Sequence, residues 1–235
     1  TNPTWASKKC DEPEYYNAFE PIYNPSFYEK YDKILFVDID VFAVEGLDEN
    51  IFDIDIGHIG FCDEPHKEKS HLTTKSPLNT KNDEAWNNVI KKYYKKEIPR
   101  NEAGQLKIFN SGVVLYTKKG LEQARNNFVP FQGYINICRK HGLPQFYSLD
   151  QNYLVSMLKI ASLDYTILDA GWNSYIHYGE HVDKAKPRPV VDTRTDKTKF
   201  VHVQLRGADD DKKTWCKDAA WHHTITNEPV EKWKL

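Results

Sequence analysis

Four consecutive apolar residues, Ile34-Leu35-Phe36-Val37, end abruptly in Asp38-Ile39-Asp40. A short apolar run without polar alternation suits a strand covered on both faces, as in a parallel sheet. In an extended chain residues i and i+2 project to the same side, so the carboxylates of Asp38 and Asp40 can grip one hard cation together. Ligands of open α/β sheets gather beyond the C-terminal ends of the strands, which is where this pair falls. Asp53/Asp55 and Asp209/Asp211 repeat the spacing without an ILFV run directly before them. For Asp53/Asp55 a solvated or capping role is the simpler reading.

The rest of the chain alternates strand-like and helix-like segments. Residues 12–32 are aromatic and acidic, and Pro13, Pro21 and Pro25 break any long helix into short turns. Residues 63–81 are polar and hold two prolines, which reads as a long loop able to act as a flap. The recurrence of Trp86, Val89, Ile90 and Tyr93 predicts a helix over 82–97, capped by Asn82 or Asp83. Residues 106–116 read as a strand interrupted at Asn110-Ser111-Gly112, and 118–141 as a helix broken by Pro130 and Gly133. Ser148-Leu-Asp-Gln151 has the form of a capping box that opens a helix carrying Tyr153, Leu154, Met157 and Leu158. Short strands are expected at 165–169 and 199–205, with a polar loop over 177–198. The order implies an α/β fold with a mostly parallel sheet flanked by helices, in a single domain over 1–235.

Charge and cysteine usage narrow the function. Lys plus Arg number 32 against 34 Asp plus Glu, a net charge of -2, so no field toward nucleic acid is implied. Cys10, Cys62, Cys138 and Cys216 lie far apart without a CxxC pair, which argues against a structural zinc site or a disulfide framework. No apolar run approaches a membrane span, and the first residues, TNPTWASKKC, lack the apolar stretch of a signal peptide. A soluble, cytoplasmic protein is the expectation.

Several residue groups fit either chemistry or plain structure. Asn110-Ser111-Gly112 is an odd insertion in an apolar strand: a bend, or the wall of a ligand pocket that glycine lets approach closely. Asp150 and Gln151 suit a helix cap as well as a catalytic pair. His202, in the strand KFVHVQL, is either a packed histidine or a ligand, and imidazole beside two carboxylates suits a transition metal such as Mn2+ better than Ca2+. Gly207 with Lys212 or Lys213 downstream suits a phosphate group. Trp172-Asn173 is a packed turn or a sugar-facing corner.

Taken in order, YDKILFVDIDV (31–41), FNSGVVLY (109–116), SLDQNYL (148–154), GWN (171–173) and VHVQLRGADDDKKTW (201–215) resemble the GT-A glycosyltransferases of the glycogenin and bacterial lipopolysaccharide galactosyltransferase type. The resemblance implies a GT-A fold and a retaining transferase that uses Mn2+ or Mg2+ and a nucleotide-sugar donor, UDP-linked. Its acceptor would be a glycan or other glycoconjugate hydroxyl. It implies that Asp38 and Asp40 hold the metal, Asp38 also meeting the ribose, with His202 as third ligand. Asn110 and Ser111 would line the donor-sugar pocket, and Asp150 and Gln151 would flank the reactive face of the sugar. Gly207 and Lys212 or Lys213 would contact the diphosphate. Here His202, Gly207 and Lys212 are spaced more widely than in the family pattern. Only 37 residues precede Asp38, fewer than the base-binding strand–helix–strand portion needs, so a shortened or missing N-terminal part is expected.

Two alternatives stand beside this reading. A DxD after an apolar strand also opens Mg2+-dependent phosphohydrolases of the haloacid-dehalogenase type, with Asp38 as nucleophile and Asp209–Asp211 as later ligands. That motif prefers Thr or Val where Phe42 stands, and it leaves FNSG, Asp150-Gln151 and His202 without a role. The other is a non-catalytic nucleotide-sugar-binding module on the same fold.

Overall fold

Three prolines shape the first part of the chain. The computed structural model describes residues 10–63, 77–102, 104–178 and 190–204. Helices α1 (Pro13–Tyr16), α2 (Glu20–Tyr23) and α3 (Pro25–Tyr28) are each one turn long with proline in the first turn, where a missing N–H costs nothing. Ala18, Phe19 and Ile22 anchor them in the main core. Phe19 meets the ring of Tyr153 at 4.8 Å and that of Phe131 at 5.4 Å, both edge-on.

The first sheet has strand order β1–β4–β3–β5, with β1 at Lys33–Val37, β3 at Ile59–Asp63, β4 at Phe109–Thr117 and β5 at Tyr165–Ile167. Alternation along β4 serves two cores. Val114 and Tyr116 face the main core, and Val113 and Leu115 face a second one. The main core is closed by α4 (Pro77–Tyr94), α5 (Lys118–Asn127), α6 (Phe131–Lys140) and α7 (Asp150–Ile160), through Trp86, Leu121, Tyr134 and Tyr153 among others. Two of its buried polar ends are paired: Trp86 Nε1 donates to Tyr134 Oη at 2.9 Å, which donates to the Tyr147 carbonyl at 2.7 Å. The opposite face of the sheet is covered by Ile51, Ile56, Leu168 and Trp172, with Phe200 packed edge-on to Trp172 at 5.1 Å.

Phe200 belongs to a second sheet of order β2–β8–β6–β7, with β2 at Val41–Ala43, β6 at Ser174–Tyr178, β7 at Val190–Asp192 and β8 at Phe200–Gln204. Helices on one face of the first sheet and this second sheet near the other explain why β4 is buried from Phe109 to Tyr116.

The α/β class and the flanking helices stand as expected, but the mostly parallel pairing does not. Of the six strand pairs described, only β3·β5 and β6·β8 are parallel; the other four are antiparallel. An apolar run demands cover on both faces, which a second sheet supplies without parallel neighbours. The expected cover is also incomplete on β1, an edge strand in which Ile34 is buried but Val37 is 40% exposed.

Other boundaries moved for local reasons. Helix α4 starts at Pro77 rather than Asn82 and stops at Tyr94, where Lys95 enters the left-handed region at φ 58°. The 63–81 segment is therefore helical from Pro77, and residues 64–76 lie outside the described part. Strand β4 runs unbroken through Asn110-Ser111-Gly112, but its register with β3 slips between Phe61 and Asp63. The break at Pro130 is present, whereas Gly133 sits inside α6. The polar 177–198 segment contributes to β6 and β7, and 179–189 are not described. The capping box does not form. Ser148 Oγ donates to the Gln145 carbonyl at 2.8 Å, closing a 3₁₀ turn over Gln145–Ser148, and Leu149 is the N-cap of α7.

Candidate active site

Asp38 and Asp40 sit where the chain crosses from one sheet to the other. The β1·β4 ladder, in register at Val37↔Val113, extends by one bond from Asp38 N–H to the Gly112 carbonyl at 2.9 Å. Two residues later the Asp40 carbonyl accepts from Val203 N–H at 2.9 Å, and Val41 pairs with His202. Asp38 is thus tied to the Asn110-Ser111-Gly112 segment and Asp40 to β8. The residue between them, Ile39, projects fully into solvent.

This crossing gathers Asp38, Asp40 and His202, each offering one ligand atom within 4.8 Å of the others. His202 Nε2 lies 3.3 Å from Asp40 Oδ1 and 3.9 Å from Asp38 Oδ2. Metal–ligand bonds of about 2.1 Å put cis ligands about 3 Å apart and trans ligands about 4.2 Å apart, so the separations fit one shared cation. Two carboxylates and an imidazole suit Mn2+ or Mg2+, the nitrogen favouring the former. His202 is buried at 2% exposure, its ring stacked on Tyr175 at 5.3 Å.

Behind the cluster runs a chain of amides. His202 Nδ1 bonds Asn173 Oδ1 at 3.2 Å, and Asn173 Nδ2 donates to Asn110 Oδ1 at 2.9 Å. The same oxygen accepts from Gly112 N–H at 2.7 Å, while Asn110 Nδ2 donates to Gln151 Oε1 at 3.2 Å. Asn173 closes a 3₁₀ turn over Ala170–Asn173 whose cap is Asp169, accepting from Gly171 N–H at 2.9 Å. Gly171 is required there: a Cβ would stand 2.1 Å from the Lys197 carbonyl oxygen.

Asp150 opens α7 and accepts from Ser111 Oγ at 2.7 Å. Loss of water around the carboxyl raises its pKa above the ordinary carboxylate value, and the bonds from Ser111 and the first backbone N–H groups of the helix offset part of that rise. The pairs Asn110–Gln151 and Ser111–Asp150 therefore dock the start of α7 onto β4 beside the Asp38/Asp40/His202 cluster.

Glycine at position 112 is dictated by this packing. A Cβ there would lie 2.5 Å from His202 Cε1 and 2.8 Å from both His202 Nδ1 and Asn110 Oδ1. Gly112→Ala is expected to cost about 2 kcal/mol of stability by overpacking. It should also displace His202. Thermal unfolding with a Mn2+ titration checks both effects; unchanged melting and metal affinity would show that the site tolerates the methyl group.

Of the residues singled out from sequence, Asp38, Asp40, Asn110, Ser111, Asp150, Gln151 and His202 are brought together. Gly207, Lys212 and Lys213 lie outside the described residues, as does the Asp209–Asp211 set of the phosphohydrolase alternative. That alternative gives no role to His202, which the structure places beside both aspartates. Asn173 was legible only as an ambiguous corner; nothing local marks it as the link between His202 and Asn110. Among the described residues no helix is long and apolar enough to cross a membrane.

Two sheets joined at an Asp-Ile-Asp turn, with helices on the far side, define a GT-A-type α/β protein. The chain belongs to glycosyl transferase family 8, whose sequence profile matches residues 7–206. Among solved structures it is similar to mouse xyloside xylosyltransferase 1 in its apo form, with a TM-score of 0.42 and 17% identity, covering 70% of this chain and 53% of that one. The chain thus spans about half the length of that structure. Comparison with curated proteins finds no match.

Proposed function

We propose that this chain is a single catalytic domain that transfers a sugar from a nucleotide-sugar, UDP-linked, to a hydroxyl of a glycan or glycoconjugate, in a metal-dependent and retaining reaction. The observation that carries the proposal is the placement of Asp38, Asp40 and His202 next to Asp150 and Gln151 through the shared wall of Asn110 and Ser111. Breaking a bond between a sugar and a diphosphate builds negative charge on the leaving oxygen, and a divalent cation held by Asp38, Asp40 and His202 would offset it. By the family resemblance, Gly207 and Lys212 or Lys213 would contact the diphosphate. Asn110 and Ser111 serve the donor sugar by orienting Gln151 and Asp150. Gln151, an amide, is a poor nucleophile, which favours attack by the acceptor on the face the diphosphate leaves.

The test is calorimetric titration of UDP with Mn2+ and again with excess chelator. Binding is expected to weaken at least on the order of tenfold without metal. Equal affinity under both conditions would remove the metal from the donor site.

A further inference from the structure

We infer that Asn173 is a positioning residue that sets the tautomer of His202, and that the Gly112 backbone N–H dictates how Asn173 does so. The inference rests on the metal-site reading above.

A backbone N–H can only donate. Gly112 N–H points at one branch of the Asn110 amide at 2.7 Å, so that branch is the oxygen. The other branch is then the nitrogen, and it donates to Gln151 Oε1. The Asn173 atom 2.9 Å from Asn110 Oδ1 must be a donor, hence Nδ2, and the Asn173 oxygen is turned to His202 Nδ1 at 3.2 Å. An amide oxygen only accepts, so Nδ1 carries the hydrogen. A neutral imidazole has a single N–H, and Nε2 therefore presents its lone pair on the side of Asp38 and Asp40.

The relay works against a competing preference. Asp40 at 3.3 Å and Asp38 at 3.9 Å would accept a hydrogen from Nε2, and that tautomer cannot ligate a cation through Nε2. A flipped Asn173 amide would support it by donating to Nδ1. The flip is barred because it would put two oxygens face to face at Asn110, whose own orientation the backbone holds. Each amide in the chain is thus locked by the one before it. Its two ends are the imidazole of the metal cluster and Gln151, whose oxygen is engaged by Asn110, so that its amide nitrogen is directed away from that residue. Partners of this kind typically change metal affinity 10–100-fold when removed.

The first measurement needs no variant: 15N NMR of the neutral His202 ring in metal-free wild-type protein at alkaline pH, alongside Mn2+ binding by calorimetry. The expected result is a protonated Nδ1 and an unprotonated Nε2. Asn173→Ala should shift the ring toward the Nε2–H form and weaken Mn2+ binding at least on the order of tenfold. Asn173→Asp keeps an acceptor opposite Nδ1 but sets a second oxygen against Asn110 Oδ1, so its ring should stay protonated on Nδ1 as in wild type even though its melting temperature falls, a retention that simple loss of packing would not produce. A wild-type ring protonated on Nε2 while Mn2+ still binds would overturn the relay and leave the metal site standing. So would an Asn173→Ala protein that binds Mn2+ as tightly as wild type. A wild-type ring protonated on Nδ1 in a protein that binds no Mn2+ would instead overturn the metal-site reading, and the relay's purpose with it.

Discussion

Asp40→Asn is expected to remove Mn2+-dependent sugar transfer while leaving the melting temperature within about 3 °C of wild type, a shift of about 1 kcal/mol for a chain of this size. The Asp40 side chain is 27% exposed, and the fold uses that residue through its backbone carbonyl, bonded to Val203 N–H, which an amide side chain leaves in place. What the substitution takes away is a negative charge beside Asp38 and His202. Second-rank partners of a metal site are worth 10–100-fold, so losing a direct ligand should cost at least on the order of 10²-fold in activity at limiting metal. A carboxylate retained for structure would behave differently: melting would fall and activity per folded molecule would persist. Measuring the two together separates the readings, and retained transfer at wild-type metal concentration would exclude Asp40 from the cation site.

The legible parts of this site were those with a local signature. Asp38 and Asp40 stand out because an apolar run precedes them, and Asn110-Ser111 because small polar residues interrupt a strand. His202 stands out because imidazole is unusual in an apolar segment. What brings them together is long-range. Asn110 meets Gln151 across 41 positions and Asn173 across 63, and His202 meets Asn173 across 29. No spacing rule reports a contact at those separations. The same limit explains the misread pairing direction, since apolar content records how much cover a strand has and not which way its neighbours run. It explains the absent capping box too. Ser148 has a nearer acceptor in the 3₁₀ turn it closes, and the Gln151 side chain is engaged by Asn110 from strand β4.

Asp150→Asn should separate activity from stability in the opposite sense to most buried substitutions. The Asp150 carboxyl has a raised pKa, first of all because it has lost water. In the window between the ordinary carboxyl value, about 3.9, and the raised one, the native state binds more protons than the unfolded state. Stability attributable to this group therefore falls as pH rises through that window. Above it, the folded protein carries a desolvated charge whose cost is constant. Asparagine removes the charge and keeps an oxygen to accept from Ser111 Oγ, now 2.7 Å from Asp150 Oδ2. The variant is expected to melt at or above the wild-type temperature at pH 7, and its relative advantage should vanish as pH falls below the ordinary carboxyl value. Transfer should nevertheless drop on the order of 10²-fold or more, the scale of losing one positioned electrostatic group at a reacting centre. Mn2+ affinity should not change, because Asp150 reaches Ser111 and not the Asp38/Asp40/His202 cluster. Melting curves at pH 7 and pH 3.5, set beside turnover and metal binding, check each part. A destabilised variant with wild-type turnover would mean that Asp150 is held in place for the helix it opens and not for the sugar.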